Sequence, residues 1–254
     1  MLSMECTSYF TAGASPAKIV RFLLAQLHLS SLVGKRSPKA LRASISKLPA
    51  GSNAYDHAYR NVMERIQGQV TDQEELAKQV LYWITCATRP LTIAELQHAL
   101  GVEIGEQDID CDNLPQIEDM VSACAGLVTV DEQSSIIRLV HYTAQEYFQR
   151  TQKQWFPHAE MDITACCVTY LSYSTFESGF CRTDDEYEER LRLYPLYGYA
   201  ARNWGYHASK LRTLDAQVLS FLTSRPKVEA SDQAMLAIKR WPNYSQEVTQ
   251  QIEG

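Results

Sequence analysis

A histidine stands at the end of an apolar strand, just ahead of a helix, and no other arrangement in this chain is as well placed for chemistry. Ile136-Ile137-Arg138-Leu139-Val140 follows the polar turn Asp131-Glu132-Gln133-Ser134 and reads as the second arm of a hairpin. His141 comes next, and Thr143 with Glu146 three residues on has capping-box spacing, which predicts a helix opening at Thr143. An imidazole there can meet an anion together with free backbone N–H groups. The plainer alternative is that His141 satisfies a backbone carbonyl at the strand end.

Other chemistry is hard to build. His28, His57, His98, His158 and His207 are far apart along the chain and read as packed or surface residues. The cysteines, at 6, 86, 111, 124, 166, 167 and 181, are odd in number and show neither C-x-x-C nor a Cys/His ligand spacing, so free thiols are expected and no metal. Gly34-Lys35-Arg36-Ser37 has Leu29 where the first glycine of a phosphate-binding loop belongs, and G-x-S-x-G, H-E-x-x-H and G-x-G-x-x-G are absent. No catalytic residue is expected and the chain reads as a non-enzyme.

Charge narrows the partners. The net charge of −6 disfavours general binding to nucleic acid or a membrane surface. No Lys or Arg occurs between Pro90 and Ile137, a stretch that carries Glu95, Glu103, Asp108, Glu118 and Asp119 among its acids. No apolar run reaches the roughly 18 residues of a membrane span, and residues 1–15 have no signal-peptide pattern. A cytoplasmic location is the expectation.

The elements that must position His141 follow from periodicity and caps. Residues 1–16 read as an unpatterned leader. The run 17–32 reads as a deeply packed helix, 39–48 as a short one, and Asn53 as the cap of a helix through Gln67 with Ala54, Ala58, Val62 and Ile66 inward, beside Tyr55 and Tyr59. Thr71/Glu74 and Thr92/Glu95 are capping boxes; the first predicts a helix burying Leu76, Val80, Leu81 and Ile84, the second a helix from Ile93 to Leu100 stopped by Gly101. Asn113 reads as the cap of a third helix with Pro115 in its first turn, after which 127–130 pairs with 136–140. Three helices and a two-stranded wing are winged-helix order. Beyond residue 150 come an apolar helix at 161–171, a charged and solvated one at 184–193, a stripe of Leu196, Ala200, Asn203, Trp204 and His207, and helices near 213–223 and 231–240. The fold class is mainly α: a helical bundle, a central winged helix with a β-hairpin, then a C-terminal helical array. Helix 113–125, the DNA-reading helix of such a fold, carries Glu118 and Asp119 and nothing to neutralise a phosphate.

Several segments together resemble fungal NACHT-type signal-transduction NTPases, NOD-like proteins that often carry ankyrin repeats. They are Phe22-Leu23-Leu24-Ala25-Gln26-Leu27-His28-Leu29, Tyr55-Asp56-His57-Ala58-Tyr59, Ala87-Thr88-Arg89-Pro90-Leu91-Thr92, Val140-His141-Tyr142-Thr143-Ala144-Gln145-Glu146-Tyr147-Phe148, and Trp204-Gly205-Tyr206-His207-Ala208. The block around 74–150 also resembles the winged-helix domain named after a GPI inositol-deacylase, with no deacylase residues visible. The resemblance implies a leader at 1–16, a helical domain at 17–70, a winged helix at 71–152 and a C-terminal helical region at 153–254. It implies a winged helix that closes over ADP on an ATPase core, with His141 approaching the phosphate and Thr143 and Glu146 fixing the helix start. The Walker elements of that core have no counterpart here, so no cofactor is expected in this chain, ADP or ATP only in a core joined to it. Protein partners, or that core, and homo-oligomerisation of the full parent are implied; a protein-binding scaffold and a DNA-binding regulator are the alternatives.

Overall fold

The protein is described by a computed structural model, which describes residues 25, 28, 29, 32, 35–46, 48 and 54–240. The expected leader, most of the expected helix 17–32 and the expected cap at Asn53 lie outside these residues. Positions 25, 28, 29 and 32 are helical, and Leu29 is exposed rather than packed.

The order of elements is α1 (Pro38–Ser46), α2 (Ala54–Gln67), α3 (Thr71–Cys86), α4 (Ile93–Leu100), α5 (Ile117–Ala123), β1 (Val128–Asp131), β2 (Ile136–Leu139), α6 (Tyr142–Trp155), α7 (Ala159–Leu171), α8 (Asp184–Leu193), α9 (Tyr197–Ala208), α10 (Ala216–Thr223) and α11 (Arg225–Arg240). Short 3-10 turns lie at Cys111–Asn113 and Ser174–Ser178. The fold is mainly helical with one antiparallel hairpin, in winged-helix order from α3 to β2. Val128 faces Leu139 and Asp131 faces Ile136, and the Val140 N–H extends the ladder to the Leu127 carbonyl at 3.0 Å.

α3 is the centre. It packs on α2, α4, α5, α6, α7 and β2. A helix with neighbours all round needs apolar residues on more than one face, which is why Ala77, Val80, Leu81, Trp83 and Cys86 are all buried. Leu76 and Ile84, expected inside, are half-buried. The wing is tied down by the turn that makes it. Ser135 takes a left-handed φ of 52°, and its carbonyl accepts from Ile93 N–H at 2.8 Å while Thr92 bridges Ile136. That single-residue bridge is all the sheet gains from the segment between α3 and α4.

The caps sort into kept and displaced. Thr92/Glu95 is reciprocal as expected: Glu95 N–H donates to Thr92 Oγ1 at 3.2 Å and Thr92 N–H to Glu95 Oε2 at 2.9 Å. Thr71 is already helical; Val70 occupies the cap without a side-chain bond, and Glu74 pairs with Lys78 one turn on. Asn113 does not cap α5 either: Gln116 holds that position, and the Asn113 amide donates to the Gly101 carbonyl at 3.1 Å. Pro115 therefore precedes the helix rather than opening it. Gly101 has an ordinary φ of −83°. It is small for packing, since a Cβ there would lie 2.7 Å from Leu114 Cδ2. α8 is solvated except at Tyr187 and Arg190, and α11 starts at Arg225 instead of 231, with Pro226 in its first turn.

One continuous core runs from Ala58 to Ala234, through the three-helix region into the array. Trp83 of α3 meets Tyr199 of α9 edge-on with centroids 5.8 Å apart, and Phe156 packs on both Tyr82 and Phe148.

Candidate functional site

His141 is itself the N-cap of α6. Its backbone is extended (φ −159°, ψ 151°), and its ring Nδ1 accepts from the Thr143 N–H at 3.2 Å. This corrects the helix start: Tyr142 is the first helical residue, and Thr143 lies within the first turn instead of capping it with Glu146. The reason is geometric. A histidine at the strand end can swing its ring over the first turn and do what a serine or aspartate does at other N-caps. The His141 carbonyl meanwhile accepts from Ala144 N–H at 3.0 Å. The helix end therefore keeps fewer open donors for an anion than a bare N-terminus, because Thr143 N–H is used by the ring.

The electrostatics follow. An Nδ1 that accepts a backbone N–H carries no proton, so the neutral ring holds its proton on Nε2. Partial burial lowers the His141 pKa, and the nearby Glu146 carboxylate pulls the other way. The Tyr142 ring lies against it, tilted by 40° with centroids 4.3 Å apart. The result is a half-buried, neutral imidazole at the junction of wing and helix, with one N–H to give. Thr143 is turned inward: its Oγ1 lies 2.7 Å from the Tyr59 hydroxyl and 3.0 Å from His141 Nδ1. Glu146 is exposed and makes no contact with Thr143 of the expected kind.

A second polar constellation, not expected from the sequence, joins the winged helix to the array. His207 is fully buried. Its Nδ1 lies 2.6 Å from Glu160 Oε2, and its Nε2 lies 2.9 Å from the Tyr199 hydroxyl. Glu160 Oε1 accepts from Lys210 Nζ at 2.6 Å. Thr88 N–H donates to the Tyr199 hydroxyl at 3.2 Å, and the Thr88 hydroxyl donates to Asn203 at 2.6 Å. Arg89 forks onto Glu95 (2.9 and 2.6 Å) and lies over the Tyr199 ring. Burial pushes the Glu160 carboxyl pKa up, and the bonds from His207 and Lys210 overcome this to hold it below the usual carboxylate range. Every member has a partner, which is the condition under which buried polar groups specify a structure. Sequence spacing gave no sign of the pairing, since 47 residues separate Glu160 and His207. A cleft of about 900 Å³ opens beside Glu160 and Lys210, with Lys153, Met161, Arg212 and Leu214 on its walls.

Among the described residues no group of three or more His, Cys, Asp and Glu side chains is arranged to hold a metal, and no helix is long and apolar enough to cross a membrane. The described cysteines are free, and Cys86, Cys124, Cys166, Cys167 and Cys181 are buried. α5, the third helix of the winged-helix order, shows Glu118 and Asp119 to solvent.

No curated protein and no solved structure matches the chain. Residues 63–173, from the end of α2 through α7 and including His141, match the family model described as the GPI inositol-deacylase winged helix domain, so this part of the chain is similar to that domain.

Proposed function

We propose that this chain is a non-catalytic regulatory module whose winged helix closes over the nucleotide-bound face of a NACHT-type ATPase core and couples nucleotide state to oligomerisation. The observation that carries the reading is the state of His141. It is held as a neutral donor where wing and α6 meet, and a neutral Nε2–H can bond a phosphate oxygen without first taking up a proton. Thr143 fixes the ring through its backbone N–H. One side-chain donor and a partly used helix end are too little for a nucleotide site of its own. ADP or ATP therefore belongs to the ATPase core of a NOD-like signalling protein, which this chain meets as a protein partner in the cytoplasm.

The test is thermal. ADP or ATP at millimolar concentration leaves the melting temperature of the isolated chain unchanged, and the chain hydrolyses no ATP. Micromolar nucleotide binding by the chain alone contradicts the reading.

A second reading, a scaffold that grips a partner protein through the C-terminal helices, draws on the exposed Leu214, Leu219 and Leu222 around α10 and on Met235 and Leu236 of α11. Leu219→Glu with Leu222→Glu abolishes partner capture under that reading and leaves the lid untouched. DNA binding finds little support in an acidic α5.

A further inference from the structure

Two surface features without a role so far lie at opposite ends of α7. The first is the cleft of about 900 Å³ at its N-terminal end, lined there by Glu160, Met161 and Thr164. Met161 and Leu214 on its walls are each 47% exposed. Glu160 is already paired with His207 and Lys210. Among the described residues, the charged wall residues left without an ion pair are the exposed Lys153 and Arg212 against Asp215, a positive balance in a chain of net charge −6. Gln217 Oε1 is a buried wall acceptor with no donor among the described residues, a state that costs free energy until something donates to it. The second feature is the tight turn at 103–106. Glu106 N–H donates to the Glu103 carbonyl at 3.2 Å, and Gly105 supplies the left-handed φ of 100°. Ile104 stands at the tip, 57% exposed, with the exposed and unpaired Glu103 and Glu106 on either side. An isoleucine there departs from the polar residues that turns favour. The turn is anchored at the C-terminal end of α7: Ser174 N–H donates to the Gln107 carbonyl at 2.8 Å, and the Tyr194 hydroxyl to Asp108 at 3.1 Å.

We propose that the acidic turn at 103–106 of one copy of this chain docks in the cleft of a second copy. Ile104 enters between Met161 and Leu214, Glu103 and Glu106 meet Lys153 and Arg212, and a backbone N–H at the tip, such as that of Gly105, donates to Gln217 Oε1. A chain cannot fill its own cleft this way. α7 has 13 residues, so roughly 18 Å of helix separates the two features, and the bonds at Gln107 and Asp108 hold the turn at the far end. The contact is therefore heterologous and head to tail. Each added copy leaves one turn and one cleft open, so pairs extend into chains or close into a ring. A single turn buries little area and its charges stay near solvent, which makes the contact weak and sensitive to salt. It needs neither nucleotide nor an ATPase core and is independent of the lid.

The experiment is sedimentation velocity of the full chain over a concentration series at low and high salt, for wild type, Arg212→Glu and Ile104→Asp. Both positions are exposed, so both variants keep the wild-type melting temperature. Wild type self-associates as concentration rises, and less so in high salt. Each variant associates more weakly by roughly tenfold or more, since each sets like charges against one another or removes the apolar anchor. Mixing the two variants restores association but stops at one of each: the intact turn of Arg212→Glu enters the intact cleft of Ile104→Asp, while the altered turn and altered cleft repel. Wild type that stays monomeric throughout overturns the proposal, whether or not its cleft then takes an acidic peptide of another protein. So does association that survives unweakened in either variant, or a mixture that fails to pair.

Discussion

His141 and His98 share a device. In each, Nδ1 is engaged: that of His141 accepts from the Thr143 N–H, and that of His98 lies 2.8 Å from the Tyr170 hydroxyl. Burial lowers both pKa values from 6.5. A histidine whose folded pKa lies below its unfolded value contributes stability that is present above the unfolded pKa and is lost as pH falls through the folded one. The melting temperature therefore holds above pH 6.5 and declines below it. His98→Gln, whose amide can still pair with the Tyr170 hydroxyl in either direction, removes part of the decline; an identical pH profile in that variant would show that His98 is not a source of it.

Secondary-structure ends separate what the sequence reveals from what it hides. The Thr92/Glu95 box is a real one because its threonine sits in extended backbone (φ −67°, ψ 160°), whereas Thr71 obeys the same spacing and is already in the helix. Accordingly Thr92→Ala lowers stability by about 1 kcal/mol, and Thr71→Ala changes it by less than about 0.5 kcal/mol. Paired chemical denaturation curves decide this, and equal losses would refute the distinction. Gly126, with φ 86° and nothing within 4 Å of a built Cβ, tests backbone strain alone: Gly126→Ala lowers stability by about 1 kcal/mol. The strand-to-helix passage at 136–143 was legible through the bulky apolar run and the polar turn before it, but the capping role of His141 was not. Histidine is not among the usual capping residues, so Thr143/Glu146 looked like the better start. The placement of Asn113 was hidden for a related reason. Its amide reaches back 12 residues to Gly101, and such a tertiary bond outweighs a local preference that is worth little on an exposed turn.

Over the whole molecule, the array grows out of the winged helix without a break in the core. The fold class was legible in period and caps. The seam was not, because Glu160, Tyr199 and His207 meet only once α7 and α9 pack together. Shared burial of Trp83, Phe156 and Tyr199 means that a cut near residue 155 opens the core, so array function is better probed by surface substitutions than by truncation. Removing one partner of a buried charged network leaves the others unsatisfied. His207→Ala thus lowers stability by about 3 kcal/mol, with unfolding remaining a single transition if winged helix and array are one cooperative unit; two resolved transitions in wild type would contradict that unit.

The proposed lid requires His141 to act through Nε2 on a nucleotide-bound core. The direct measurement is the ADP dissociation rate from a polypeptide carrying the ATPase core ahead of this chain, compared between wild type and His141→Ala at matched folding. A lost hydrogen bond to a charged phosphate predicts release faster by roughly tenfold or more; an unchanged rate contradicts the lid.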